Sequence, residues 1–181
     1  MNNLQIDQIL KHDISTRKYY IGTFNVNNIP NKIYDRIALL IVNTEEDLQR
    51  MGHWVAFAII GKKILFFDSL AFHPVKFYRG KIAELFLRYE KKIIVVSSPI
   101  QHARSLTCGA HSIYFIHSIA KGKSHRRLMM EYSLRDKLKN DSFVTKYLFQ
   151  LNKNKHECRD NFCSMKMFKT SCAEKCRCNH V

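Results

Sequence analysis

Residues 52–69, GHWVAFAIIGKKILFFDS, decide the fold because they hold two apolar segments around one short turn. Aromatic and β-branched side chains dominate residues 54–60 and 64–67, and both residue types favour strands. Residues 61–63 between them are Gly-Lys-Lys, which suits the turn of a hairpin. We therefore predict a central antiparallel hairpin with polar residues at its open end.

The two polar residues at that open end are His53 and Asp68. They lie 8 and 7 positions from Gly61, so an antiparallel hairpin places the imidazole beside the carboxylate. An imidazole oriented by a carboxylate is the arrangement that a general base needs. Taken alone, His53 is also compatible with an ordinary surface or core histidine, and Asp68 with a residue that caps a strand end.

Cys108 is the isolated cysteine of this chain, since the other five fall in the last 24 residues. It stands with Gly109 just before residues 110–120, an apolar segment that predicts a buried helix. Helix N-terminal N–H groups and a nearby imidazolium lower a thiol pKa from about 8.5 to roughly 3.5–7.5. Gly109 would let the backbone approach an acyl group closely. Cys108 is thus a candidate nucleophile, and the alternative is a small buried apolar residue.

Hydrophobic periodicity organises the remainder of the chain into one α+β domain over residues 1–152. Residues 153–181 form a basic, cysteine-rich tail in which that periodicity fades. We expect Asp141 or Ser142 to cap the last helix and Gly122 to end the helix after Cys108. The further predicted helices are 4–11, 81–91, 125–138 and 143–151, and the further buried strands are 38–42 and 93–96.

The composition excludes two classes of protein. With 46% hydrophobic and 12% aromatic residues the chain is no disordered polycation, despite a formal charge of +15. Its longest apolar run, Trp54–Ile60, is far shorter than the roughly 20 residues of a bilayer helix, so we expect no membrane partner. The first residues lack the layout of a signal peptide, and we expect a reducing compartment without secretion.

Basic residues concentrate in the last third, where residues 121–181 hold 15 basic and six acidic side chains. Two clusters beside Tyr and Phe residues suit contacts with phosphates and predict nucleic-acid binding without sequence preference. The alternative is a basic surface that serves solubility. The residues assigned to this binding are Lys121, Lys123, Arg126, Arg127, Lys137 and Lys139.

The tail offers thiol and imidazole groups of the kind that bind zinc. Their spacing departs from the common C-x2-C pairs, so we predict no metal site and prefer a mobile tail of reduced thiols. A structural zinc site is the alternative. The residues concerned are Cys158, Cys163, Cys172, Cys176, Cys178 and His180.

Several separated motifs, in one order and at similar spacing, together resemble the adenovirus endopeptidase (adenain) family of cysteine proteases. They are YIGTF at 20–24, IVNT at 41–44, GHWVAFA at 52–58, Gln101 seven residues before Cys108, and CGAHS at 108–112. The resemblance covers about residues 18–120. The wider clan, which includes the SUMO-specific and ubiquitin-like proteases, shares the order His, Asp, Gln, Cys.

This resemblance implies a single papain-like domain with a central mixed sheet flanked by helices and a nucleophile at a helix N-terminus. It implies that Cys108 is the nucleophile and that His53 is the general base and later the acid. Asp68 falls at the third triad position, where adenain carries Glu and much of the clan Asp. Gln101 resembles the oxyanion donor of the family, although without the resemblance it would be interpreted as an ordinary polar loop residue. Trp54 and Gly109 would line the substrate cleft.

The resemblance also implies a function, cleavage of virion precursor proteins by a monomer, with DNA as cofactor, in the virion and the host nucleus. The alternatives are an isopeptidase acting on ubiquitin-like tags and a catalytically silent basic DNA- or zinc-binding protein. One departure concerns activation. Adenain is activated by a peptide tethered through a disulfide, but here no cysteine except Cys108 precedes Cys158. An activating peptide would bind without that tether, use the tail cysteines, or be absent.

Overall fold

A computed structural model describes residues 1–33, 36–45, 52–76, 78, 80–88, 92–96 and 98–167, with the backbone alone for 81, 85, 87, 88 and 154–167. Helices and strands alternate irregularly along this part of the chain, as the α+β prediction requires. In order they are α1 (Asn3–His12), β1 (Tyr20–Asn25), β2 (Ile37–Asn43), β3 (Trp54–Ile60), β4 (Lys63–Phe67), α2 (Lys81–Arg88), β5 (Lys92–Val95), α3 (Cys108–Ala120), α4 (His125–Met129) and α5 (Lys137–Met167).

The five strands form one mixed sheet in the order β1-β2-β3-β4-β5. The two outer pairs, β1 with β2 and β4 with β5, are parallel, and the pairs made by β3 are antiparallel. This confirms the α+β class with a central mixed sheet. Strand β1 was not predicted as a strand, because Gly22 interrupts it and polar residues follow.

The predicted hairpin is confirmed as β3 and β4, whose last paired residues are Ile60 and Lys63. Its turn is one residue shorter than predicted because Lys63 already belongs to β4. Gly61 has φ +53°, and such two-residue turns need a positive φ at their first central position. The glycine therefore lets the two strands reverse over two residues.

Strand β3 is buried on both faces because helices cover both faces of the sheet. Trp54 and Ala56 point to a core that contains residues of α1 and α3, whereas Val55 and Phe57 point to a second core that contains residues of α2. This double burial explains why β3 is apolar throughout rather than alternating. It also fixes its register firmly, because a slip by one residue would exchange the two faces.

The helices after α3 differ from the sequence prediction. Helix α4 ends at Met129 rather than at residue 138, and a turn follows in which Ser133 Oγ accepts hydrogen bonds from main-chain N–H groups. Helix α5 then begins at Lys137, where Asp136 Oδ1 accepts from the Lys139 N–H at 2.9 Å. Asp136 therefore takes the capping role that was predicted for Asp141 or Ser142, and Asp141 lies buried inside the helix.

Helix α5 continues past the predicted boundary at residue 152 and ends at Met167. Cys158 and Cys163 therefore lie on helical backbone, and the remaining tail cysteines and His180 lie outside the described residues. Within the described part of the chain, no helix is both long and apolar enough to span a bilayer.

Candidate active site

The ends of the central hairpin bring together the two polar residues predicted to meet there. His53 immediately precedes β3 and Asp68 immediately follows β4. His53 Nε2 lies 2.7 Å from Asp68 Oδ1. The carboxylate is 1% exposed, whereas the imidazole keeps 18% of its surface exposed. The pair thus has a buried, fixed acceptor and an imidazole that solvent and a ligand can still reach.

The Asp68 carboxylate is held by three further hydrogen bonds. Oδ1 accepts from the Leu70 N–H at 2.8 Å, and Oδ2 accepts from the Phe72 N–H at 3.2 Å and from the Tyr78 hydroxyl at 2.6 Å. Burial, and then the charge of Asp68, raise the pKa of Tyr78 above its ordinary value, so its hydroxyl stays a donor. These bonds satisfy a buried charge and orient it toward His53.

Cys108 is the first residue of α3, and its thiol interacts with His53 and with the main-chain N–H groups of Trp54 and Gly109. Burial alone would raise the pKa of this thiol, but these interactions lower it below its usual value. Burial alone would lower the pKa of His53, but Asp68 and Cys108 raise it to about 9. Both shifts favour the thiolate and imidazolium form of the pair.

The N-terminus of α3 keeps its N–H groups directed at the site because its capping residue bonds elsewhere. Thr107 makes no side-chain cap, and its hydroxyl instead donates to Asp141 Oδ1 at 2.9 Å. Asp141 also accepts from the buried His111, with Nε2 and Oδ1 2.8 Å apart, and from the His102 N–H at 3.3 Å. Helix α5 thereby holds the start of α3 and the loop before it.

Gln101, predicted as the oxyanion donor, is 3% exposed. Its Nε2 donates to the Ser105 carbonyl at 2.9 Å, and its Oε1 accepts from the Ser69 hydroxyl at 2.5 Å. A primary amide has two N–H donors, so one remains after the bond to Ser105. Gln101 is thereby joined both to the residue after Asp68 and to the loop that leads into Cys108.

The two residues predicted to line the cleft lie against each other. A Cβ at Gly109 would come within 3.3 Å of Trp54 Cδ1 and 3.2 Å of Met1 Sδ, so the glycine lets α3 approach the indole. Trp54 is 6% exposed, and its indole N–H donates to the Met1 carbonyl at 3.3 Å. The indole is therefore mostly packed in the core that supports Cys108.

The residues predicted to bind DNA lie between the end of α3 and the first turns of α5. They differ in how free their charges are. Lys123 is paired with Glu131 at 2.7 Å and lies 5.5 Å from the centroid of the Tyr114 ring, whereas Arg126 and Arg127 are exposed. Lys121 and Lys139 are also exposed, and Lys137 is partly buried.

Sequence reasoning missed three groups that support the site. Ser69 follows Asp68 directly in the sequence, and this adjacency is the signal that could have placed it near the site. His111 lies within the quoted motif at 108–112, but its partner Asp141 was predicted to be a cap. Tyr78 lies ten residues from Asp68 in an irregular segment, and no pattern in the sequence marks it.

Among the described residues, no group of three or more His, Cys, Asp or Glu side chains could hold a metal ion.

No protein-family model matches this chain, and no curated protein matches it in sequence. Solved structures do match. The ASFV pS273R protease aligns with a TM-score of 0.50 at 15% identity, over 71% of this chain and 60% of that one. Its selenomethionine crystal structure aligns with a TM-score of 0.50 at 14% identity, over 80% of this chain and 66% of that one. The SUMO protease Ulp1, with its catalytic cysteine oxidised to a sulfinic acid, gives a TM-score of 0.36 at 14% identity, over 60% and 50%.

The two matches to the ASFV protease show that this chain has a protease fold, so the predicted single-domain fold is confirmed. This chain spans less than two thirds of the length of that protease. At 15% and 14% identity, these two matches show a shared fold alone. The resemblance to adenain and to its wider clan stays a prediction.

Proposed function

We propose that this chain is a cysteine endopeptidase in which Cys108 is the nucleophile and His53 the general base and acid. The observation that carries the proposal is the 2.7 Å hydrogen bond between His53 and the buried Asp68, together with the interaction of the same imidazole with the Cys108 thiol. Asp68 orients the imidazole through Nε2, so Nδ1 is the nitrogen left to serve the sulfur. This is the geometry of an activated nucleophile with an oriented base.

The proposed reaction follows from these positions. The Cys108 thiolate attacks the carbonyl carbon of the scissile peptide bond, and a tetrahedral oxyanion forms. The Cys108 N–H and the remaining Nε2 N–H of Gln101 stabilise that oxyanion, and one such donor is typically worth about 2.7–4 kcal/mol. His53 gives its proton to the leaving amine as the C–N bond breaks. It then takes a proton from water, whose oxygen attacks the thioester; the C–S bond breaks, the acid is released, and the thiolate and imidazolium are restored.

The proposed substrates are virion precursor proteins, cut during maturation of a virus. Support comes from the resemblance to adenain and from the structural match to a protease of ASFV. The same proposal places the enzyme, as a monomer, in the virion and the host nucleus. An activating peptide would act without the disulfide tether, because Cys108 is the one cysteine before residue 158.

Double-stranded DNA is the proposed cofactor, bound without sequence preference. The exposed Arg126 and Arg127 and a formal charge of +15 support it, since cations that neutralise phosphates release counterions and so favour binding. DNA that concentrates the protease near its substrates would raise the cleavage rate at low salt and lose this effect at high salt.

The test is cleavage of a virion precursor protein by the full chain. We expect Cys108→Ala and His53→Ala to abolish cleavage, with the exposed His12→Ala as the matched histidine control. A Gly-Gly-linked ubiquitin-like conjugate, offered in parallel, tests the isopeptidase alternative. A silent protein would cleave neither substrate, and its Cys108 would titrate as an ordinary thiol with a pKa of about 8.5. Cleavage that survives in Cys108→Ala would reject the mechanism.

A further inference from the structure

The Ser69 hydroxyl donates to Oε1 of Gln101 at 2.5 Å, and both residues are buried, Ser69 fully and Gln101 to 3% exposure. We propose that Ser69 is a positioning residue that fixes which end of the Gln101 amide faces the oxyanion. This inference rests on the proposed function, because it concerns the oxyanion donor of the same reaction.

The orientation of the amide follows from its neighbours. The Ser105 carbonyl can only accept a hydrogen bond, so the amide nitrogen of Gln101 must face it, and the two atoms are 2.9 Å apart. The amide oxygen then faces Ser69, and a hydroxyl is the donor that an oxygen requires. Two contacts on opposite ends of the amide thus select one of its two orientations.

The Ser69 hydroxyl orients the side-chain amide of Gln101, whereas the Ser69 main-chain carbonyl positions the backbone of Gln101. The Ser69 carbonyl accepts from the main-chain N–H groups of Ile100 at 2.9 Å and Gln101 at 3.0 Å. Any residue at position 69 can keep these two bonds. Loss of the hydroxyl alone would leave Oε1 buried without a donor, which costs about 1–3 kcal/mol. The amide would then turn toward another donor and withdraw its free N–H from the oxyanion.

Ser69 also links the two halves of the catalytic apparatus. Its neighbour Asp68 orients the base His53, and its own hydroxyl orients the oxyanion donor Gln101. The same loop therefore sets the base and the oxyanion donor relative to each other. A change at position 69 should affect steps with an oxyanion and spare the nucleophilicity of the thiolate.

Two reactions of Cys108 separate these effects. Alkylation by iodoacetamide displaces iodide and forms no oxyanion, so it reports the thiolate alone. Acylation by p-nitrophenyl acetate passes through a tetrahedral oxyanion: the S–C bond forms, the C–O bond breaks, and p-nitrophenolate leaves. The variants are Ser69→Thr, which keeps the hydroxyl, and Ser69→Val, which has nearly the same shape without it. Ser118→Ala removes a different buried hydroxyl as the control.

We expect Ser69→Val to acylate roughly 10- to 100-fold more slowly than Ser69→Thr, below the 10²–10³-fold typical for complete loss of a donor. Alkylation should stay within about twofold in both variants, since the bonds that lower the thiol pKa are unchanged. Equal acylation by the two variants, or a parallel loss of alkylation in Ser69→Val, would overturn the proposal. If Ser69→Val does not unfold cooperatively, the smaller Ser69→Ala is compared with wild type instead.

A double-mutant cycle completes the test. In a Gln101→Ala background, Ser69→Val should slow acylation no further, because the amide that it orients is gone. Independent, multiplicative losses would overturn the positioning role. Failure of the proposed function gives a different result. In that case wild-type Cys108 shows an ordinary thiol pKa and no acylation burst, and the role of Ser69 falls with it.

Discussion

His53 Nε2 lies 2.7 Å from Oδ1 of Asp68, although 15 residues separate them in the chain. Because Asp68 binds Nε2, the other ring nitrogen, Nδ1, is left for Cys108. The carboxylate also supplies the negative charge that favours the protonated imidazole. The pKa of His53, raised to about 9, and the lowered pKa of Cys108 both favour an ion pair before substrate arrives. In the proposed mechanism this favours attack by a thiolate over proton removal during attack.

Replacing Asp68 by Asn should disfavour the ion pair of Cys108 and His53 while preserving the shape of the site. The pKa of His53 should fall from about 9, and that of Cys108 should rise, because the neutral amide no longer favours the imidazolium. Turnover should fall by on the order of 10⁴-fold, the size of the loss when the aspartate of a comparable triad is neutralised. The measurement is the pH dependence of iodoacetamide alkylation together with kcat.

Tyr78→Phe is the matched control for Asp68→Asn. It removes one hydrogen bond to the same carboxylate, donated at 2.6 Å, and leaves the charge in place. Its effect on kcat should therefore be much smaller. Equal effects of the two substitutions would show that hydrogen bonding, rather than charge, maintains the ion pair.

The pH profile of the wild type should separate attack from leaving-group protonation. As pH falls through the lowered pKa of Cys108, the thiolate is protonated, so alkylation and peptide cleavage decline together. As pH rises through about 9, His53 loses its proton, so cleavage declines because the leaving amine has no acid. Alkylation needs only the thiolate and should persist there. Alkylation that rises only near a pKa of about 8.5 would contradict the preformed ion pair.

The central hairpin and the pair at its end could be predicted because they depend on local patterns. Apolar runs on either side of Gly61 determine both strands, and the turn brings His53 to Asp68 with no further information. Strand β1 could not be predicted in the same way. Its residues reach the sheet through parallel pairing with β2, a long-range contact that no local periodicity indicates.

The supporting contacts were hidden for a similar reason. Asp141 has the residue type and spacing of a helix cap, but tertiary contacts with His111 and Thr107 place it inside α5. Its true partners lie 30 and 34 residues away in the chain. Only the packing of α5 against α3 shows that this carboxylate belongs to the support of the active site.

Removal of the Asp141 carboxylate should therefore cost stability as well as order near Cys108. Asp141→Ala leaves the buried His111 and the Thr107 hydroxyl without their acceptor. Burial lowers the pKa of His111, so its imidazole is neutral and its contact with Asp141 is a hydrogen bond rather than an ion pair. We expect a loss of about 2–3 kcal/mol in the free energy of unfolding, toward the upper end of the range for an unsatisfied buried donor, because the Thr107 hydroxyl loses its acceptor as well. Urea denaturation measures it. The cap variant Asp136→Ala is the control and should cost about 1 kcal/mol, and a similar small loss in Asp141→Ala would contradict the role of the buried pair.

The basic residues should contribute unequally to DNA binding, because their charges are not equally free. Lys123 is already engaged by Glu131 at 2.7 Å and by the Tyr114 ring, whereas Arg126 and Arg127 are exposed. Each phosphate contact contributes about 0.9 to the slope of log K against log salt concentration for B-form DNA. The double variant Arg126→Ala with Arg127→Ala should lower that slope by up to about 2, and Lys123→Ala by clearly less than 1.

Fluorescence anisotropy with a short duplex over a salt series measures both slopes. A drop for Lys123→Ala equal to that for either arginine would mean that DNA displaces Glu131, and unchanged slopes in all variants would remove this surface from the proposal.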